Sequence, residues 1–144
     1  MPDEVANNLL DSIPTGEVVK DLREGEHYEA KLNEAELIEQ SNGPAIRVTY
    51  TGCVDADGRE FSYQERYTIP TSNSEDFIQR LFLAAAHAWG LVPPGDNRRI
   101  LADTPEAREA ILNAVRSVQG SVVPLKLTTG KTGYLQSRFL RKRG

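Results

Sequence analysis

The chain is poor in the residues that build disulfide, metal and thiol chemistry. Cys53 is its one cysteine in 144 residues. A single cysteine excludes an internal disulfide and suits a reducing compartment, so a cytoplasmic location is expected. With only His27 and His87 beside it, a structural zinc site lacks ligands, and no metal or cofactor is expected. No apolar run approaches the roughly 18 residues a membrane-spanning helix needs, so no membrane partner is expected either. The opening stretch MPDEVANNLLDS is acidic and has no basic region leading into an apolar one, which argues against a secretion signal. The last 35 residues contain no acid.

That final absence is one end of a charge gradient. Residues 1–40 hold eleven acids and three bases, whereas residues 110–144 hold seven bases, so the net charge of −4 conceals an acidic beginning and a basic end. The remaining composition, 39% hydrophobic and 26% charged, is that of one globular domain. Residues 1–24 are weakly patterned, with Pro14 and Gly16 as breakers. They read as an acidic N-terminal arm with a short helix at Glu4–Ser12, ahead of a domain over residues 25–144.

Within that domain the apolar period is two. Tyr28, Ala30 and Leu32 share a face, then Ala35 and Leu37 take over, a one-residue slip of the kind a β-bulge makes. Ser41-Asn42-Gly43 is a turn. Ile46, Val48 and Tyr50 then alternate with Arg47, Thr49 and Thr51. Asp55-Ala56-Asp57-Gly58 is a hairpin connection. Beyond it Phe61, Tyr63, Tyr67 and Ile69 share one face, with Ser62, Gln64, Arg66 and Thr68 opposite. The period next becomes helical. Ser72 and Glu75 have capping-box spacing, and Phe77, Ile78, Leu81, Phe82, Ala84, Ala85, Ala88 and Trp89 form an apolar stripe. Thr104-Pro105-Glu106 opens a second helix that ends near Gly120. Val123, Leu125 and Leu127 mark a fourth strand, and Leu135 and Phe139 a fifth. Three strands, two helices and two strands make a mainly β, α+β chain. This order predicts a five-stranded OB-fold-like barrel with helices between strands 3 and 4. A five-stranded sheet carrying both helices on one side is the rival.

The motifs with chemical associations fail on spacing. Gly130-Lys131-Thr132 ends like a phosphate-binding loop, but that loop needs glycine at position 125, which is leucine, and a following helix where this chain alternates as a strand. A calcium loop starting at Asp55 would need oxygen ligands where Arg59 and Arg66 stand. Neither a Cys/His pair nor a carboxylate pair is brought together by the pattern, so no enzymatic activity is expected. What stands out is cations interleaved with aromatic rings, the composition of a single-stranded nucleic-acid groove. Phe61, Tyr63 and Tyr67 share the phase of Ile69 and read as core. The expected nucleic-acid-binding residues are Arg47, Arg59, Gln64, Arg66, Lys126, Lys131, Tyr134, Arg138 and Arg141, with Tyr134 the stacking ring.

The stretches GEHYEAKLNEAEL, SNGPAIRVTYTG and QGSVVPLKLTTGKTGYLQSRFL carry a pattern of turns and strands across residues 25–141. Gly25, Tyr28, Ala35-Glu36-Leu37, Gly43-Pro44, Gly120 and Val123 make the match. In these the chain resembles small phage-encoded OB-fold proteins regarded as single-stranded DNA-binding proteins of replication and recombination. It departs from many of them in ending on Arg-Lys-Arg-Gly rather than an acidic tail. The resemblance implies sequence-tolerant binding of single-stranded DNA, with RNA an open second ligand, in a bacterial or phage-infected cell. Replication or recombination proteins recruited through the acidic arm, and a second copy of the chain, are further candidate partners. The alternative is a protein-interaction or structural module on an OB-like barrel.

Overall fold

The structure, a computed structural model, describes residues 21–141. The helix expected at Glu4–Ser12 and most of the acidic arm lie outside the described residues. The arm's last part joins the body: Leu22 accepts the Ala56 N–H at 2.9 Å, and the Glu24 carboxylate accepts the Thr129 N–H at 2.9 Å.

The first alternating run is divided between two sheets. β1 (Gly25–His27) ends in a turn at residues 28–29, and β2 (Lys31–Gln40) begins beyond it. The expected phase slip is a bulge: Leu32 pairs with Tyr50 and Glu34 with Thr49, so Asn33 is skipped. β3 (Gly43–Val54) and β4 (Glu60–Thr68) complete the expected meander, in the order β2-β3-β4. Ile46, Val48 and Tyr50 are fully buried, while Arg47, Thr49 and Thr51 face outward. The Asp55 carboxylate closes the β3–β4 turn by accepting the N–H groups of Asp57 and Arg59, each at 2.9 Å. A second irregularity lies between Tyr50 and Cys53, where Gly52 has φ +80°. A Cβ there would sit 2.6 Å from the Glu29 carbonyl oxygen, so the position requires glycine.

Two helices follow, α1 (Asp76–Ala88) and α2 (Pro105–Ser117). The expected capping box at Ser72 and Glu75 does not form. Glu75 is itself the residue before α1 and makes no side-chain cap, because Ser72 lies too early and gives its N–H to Asp103 at 2.6 Å. Thr104 does cap α2, its hydroxyl accepting from the Ala107 N–H at 3.1 Å. α1 buries Phe82, Ala85 and Ala86 but leaves Phe77 and Leu81 exposed, although both belong to the apolar stripe in sequence. Its surprise is a buried glutamine. Gln79 accepts the Ile100 N–H at 3.0 Å and donates to the Ile100 carbonyl, so one amide satisfies a loop residue as a strand neighbour would.

β5 (Leu125–Thr129) and β6 (Leu135–Phe139) form the closing hairpin, and β1 pairs with β5 to give a second three-stranded sheet, β1-β5-β6. The closed OB-like barrel is therefore not what this sequence builds. It folds as α+β with two separate three-stranded antiparallel sheets and two helices after β4. The reason lies at the two junctions. On one side β2 meets residues 120–123 through a single bridge, Lys31 with Val122, and Pro124, which has no N–H, ends the pairing. On the other side β4 and β6 are joined by side chains. Tyr67 stacks on Phe139 with ring centroids 6.0 Å apart, and no backbone ladder connects the two strands among the described residues. The core between the sheets is centred on Trp89, whose indole N–H donates to the buried Tyr50 hydroxyl at 2.9 Å; that hydroxyl and the Tyr67 hydroxyl lie 2.7 Å apart. No helix among the described residues is long and apolar enough to cross a membrane.

Candidate nucleic-acid interface

Strand register sorts the outward charges into rows. Across β2-β3-β4 one row reads Glu36, Arg47, Arg66, and across β1-β5-β6 another reads Glu26, Lys126, Arg138. Each row ends with a cation on the free edge strand, β4 or β6. Each also sets two cations directly opposite one another, an arrangement that destabilises a sheet unless an anion lies between or above them. In the first row Arg47 is taken by an ion pair with Glu36. Among the described residues the remaining ion pairs involve Arg23, Arg98 and Arg99, so Arg66, Lys126 and Arg138 are in no ion pair, with Glu26 across the strand from Lys126.

The two free edges face each other. The Tyr63 hydroxyl lies 3.4 Å from the Leu135 carbonyl oxygen, and Tyr67 stacks on Phe139; both contacts span 72 residues of sequence. β4 and β6 thus run in the same direction, and Arg66 and Arg138 line one cleft. A cleft of about 480 Å³ opens between these strands and α1. Arg66 and Arg138 line it together with Tyr67, Leu81, Phe139 and Glu65. Lys126 continues the cationic surface along β5, beside Thr128, Gln136 and Arg138.

Glu65 sits in the inward phase of β4, between Tyr63 and Tyr67. Burial pushes its carboxyl above the ordinary carboxylate value, opposed by the hydrogen bond it accepts from the Tyr63 hydroxyl. Burial also raises Tyr63, Tyr50 and Tyr67, the neighbouring Glu65 carboxylate adding to the effect, so these phenols stay protonated.

The expected binding residues divide accordingly. Arg66, Lys126 and Arg138 converge, with Arg47 and Gln64 next to them but engaged: Arg47 by Glu36, and Gln64 by the Thr49 hydroxyl, to which its amide donates at 3.2 Å. Lys131 and Tyr134 lie at the β5–β6 hairpin. Tyr134 is 76% exposed and shares the face of Gln136 and Arg138, roughly 13 Å along the strand from Arg138. Arg59 closes the β3–β4 turn, seven residues from Arg66, or about 23 Å away. Arg141 lines a different groove, with His87 and Pro93. Of the rings read as core, Tyr63 is buried, while Phe61 and Tyr67 are half-buried against His27 and Trp89 at 5.3 and 5.0 Å.

Two residues lining the cleft escaped the reading of the sequence. Leu81 belonged to a helical stripe and carried no mark of its exposure. Glu65 did carry a mark, since an acid between Tyr63 and Tyr67 occupies a core-facing position. A second basic concentration, Arg80, Arg98 and Arg99, surrounds an opening beyond the start of α1. There Asp96 holds Arg98 at 2.5 Å, and Asp76 lies 3.9 Å from Arg99. Burial pushes the Cys53 thiol up to about 11, and His27 shares a 2.7 Å hydrogen bond with the Arg23 carbonyl. Comparisons with family models, with curated proteins and with solved structures find no match.

Proposed function

We propose that the chain binds single-stranded DNA along the seam between its two sheets, tolerating sequence because the main contacts go to phosphates. The observation that carries this reading is that Arg66 and Arg138, one from each free edge strand, line one cleft, with Lys126 next to Arg138 and none of the three in an ion pair. Cations outside any ion pair and held opposite other cations are best satisfied by a polyanion. A single strand suits a narrow, ring-bearing cleft, since its bases are free to enter, and Tyr134 offers an exposed ring along the same face. The barrel has no part in this proposal; the open seam takes its place. Titration of a labelled oligo-dT at two salt concentrations tests it. Three neutralised phosphates give a log–log salt slope of about −2, or about a twentyfold loss of affinity for a fourfold rise in salt. Absence of binding at low salt, or affinity indifferent to salt, refutes it. RNA and duplex DNA in the same titration establish the preference.

A second reading, a protein-interaction module, is favoured by one observation. Phe77 and Leu81, one turn apart on α1, are 46% and 61% exposed. If that strip is a self-association surface, sedimentation shows concentration-dependent dimers that Phe77→Ser abolishes.

A further inference from the structure

The cleft holds one carboxylate, which phosphate binding does not use. Its walls are apolar where Tyr67, Leu81, Phe82 and Phe139 meet, its rim is cationic, and the carboxylate of Glu65 is set among them. A few hundred cubic ångströms with apolar walls and a few polar groups is the form of a small-ligand pocket. One Glu65 oxygen, Oε2, is held by the Tyr63 hydroxyl. The other, Oε1, has no partner among the described residues. Because no buried side-chain oxygen there is left unpartnered, Oε1 is accessible to solvent, and Glu65 lines the cleft. Glu65 is the one acid lining the cleft, whose donors are the rim arginines and the Thr68 and Ser137 hydroxyls, and an ionised carboxylate can do nothing but accept.

We infer that this cleft takes one base of the bound strand and that Glu65 makes it select an exocyclic amino group, cytosine over thymine. The inference rests on the single-stranded DNA reading and names what that reading leaves open, the base that enters. Arg66 and Arg138 hold the adjoining phosphates at the rim, so the base turns inward between Leu81 and Phe139. Cytosine presents an N4–H₂ donor at the edge where thymine presents its O4 acceptor. The first pairs with Oε1. The second sets two acceptors against each other in a half-buried site and leaves the carboxylate unpaired there. The two pyrimidines are alike in size, so apolar contact and stacking do not separate them.

The test is the affinity of the full chain, at low salt and mildly alkaline pH, for three short oligomers. They are oligo-dC, oligo-dT, and an oligomer of N4,N4-dimethylcytosine, which keeps the ring and loses both donors. Wild-type protein is expected to bind oligo-dC about tenfold more tightly than oligo-dT, with the dimethylated oligomer at the oligo-dT level. Glu65→Gln, whose amide can donate to thymine O4 as well as accept, should bring the oligo-dC to oligo-dT ratio towards one by raising oligo-dT affinity. Equal affinity for the three oligomers, with normal salt dependence, overturns the base selection and leaves the DNA reading standing. No binding of any oligomer overturns both. A preference for oligo-dC that survives dimethylation overturns the role of the amino group. The wild-type comparison decides the matter even if the variant does not fold.

Discussion

Replacing Arg66 and Arg138 together by glutamine separates a binding role for these arginines from a structural one. In the folded chain each stands opposite another cation, Arg66 against Arg47 and Arg138 against Lys126. Each therefore costs stability, at about 0.3 kcal/mol per like-charged pair. Their removal relieves both pairs, about 0.6 kcal/mol in all, which raises the melting temperature of a domain this size by roughly 2 °C. Binding moves the other way. At low salt each arginine–phosphate contact contributes about 1 kcal/mol, the upper end for exposed pairs, so the double variant loses about thirtyfold in Kd. The salt slope falls from about −2 to about −0.7, because only Lys126 still neutralises a phosphate. Differential scanning calorimetry and an anisotropy titration of one labelled oligonucleotide, over a range of salt, read both effects. A variant that melts lower and binds as well as the wild type would refute the reasoning, since the arginines would then be structural and the seam would not be where DNA lies.

The other predictions concern the frame around the seam. Gly52→Ala should destabilise by about 2 kcal/mol or more, because φ of +80° is strained for alanine and its Cβ would meet the Glu29 carbonyl at 2.6 Å; an unchanged urea midpoint counts against the β3 geometry. Tyr50→Phe leaves the buried indole N–H of Trp89 without its acceptor, a loss of about 2 kcal/mol that urea unfolding, followed by the fluorescence of this one tryptophan, would detect. Glu65→Gln should be more stable than wild type at neutral pH. Burial raises the folded-state pKa of Glu65 above its unfolded value, so the folded state binds the proton more tightly and stability falls as pH rises through that interval. The advantage of the variant should shrink as pH drops towards the ordinary carboxylate value, while Tyr63, Tyr50 and Tyr67 stay protonated throughout. An advantage independent of pH would mean that the Glu65 carboxyl is not desolvated.

Much of the local structure was legible before any coordinates. The Leu32-to-Ala35 slip is the bulge at Asn33, and Asp55 through Gly58 form the expected turn. Ile46, Val48 and Tyr50 face the core, and Thr104 caps its helix. These follow from period-two alternation and from side chains that bond their own backbone, both short-range effects written in neighbouring residues. The capping box failed for a related reason: spacing proposes a cap, but Asp103, far along the chain, claims the Ser72 N–H.

The sequence by itself determined which side chains share a face of each strand, and hence that Arg66 stands with Gln64 and Arg138 with Gln136, apart from the apolar residues of their strands. It did not determine whether the sheet closes. Closure depends on whether distant edges satisfy one another's backbone groups, and that is decided between β4 and β6, where Tyr67 and Phe139 meet in place of a ladder. The same non-local juxtaposition turned two separate arginines into the rim of one cleft. It also turned Glu65, an acid out of place in an aromatic strand, into that cleft's acceptor, because only packing brings residues 72 apart in sequence to one level.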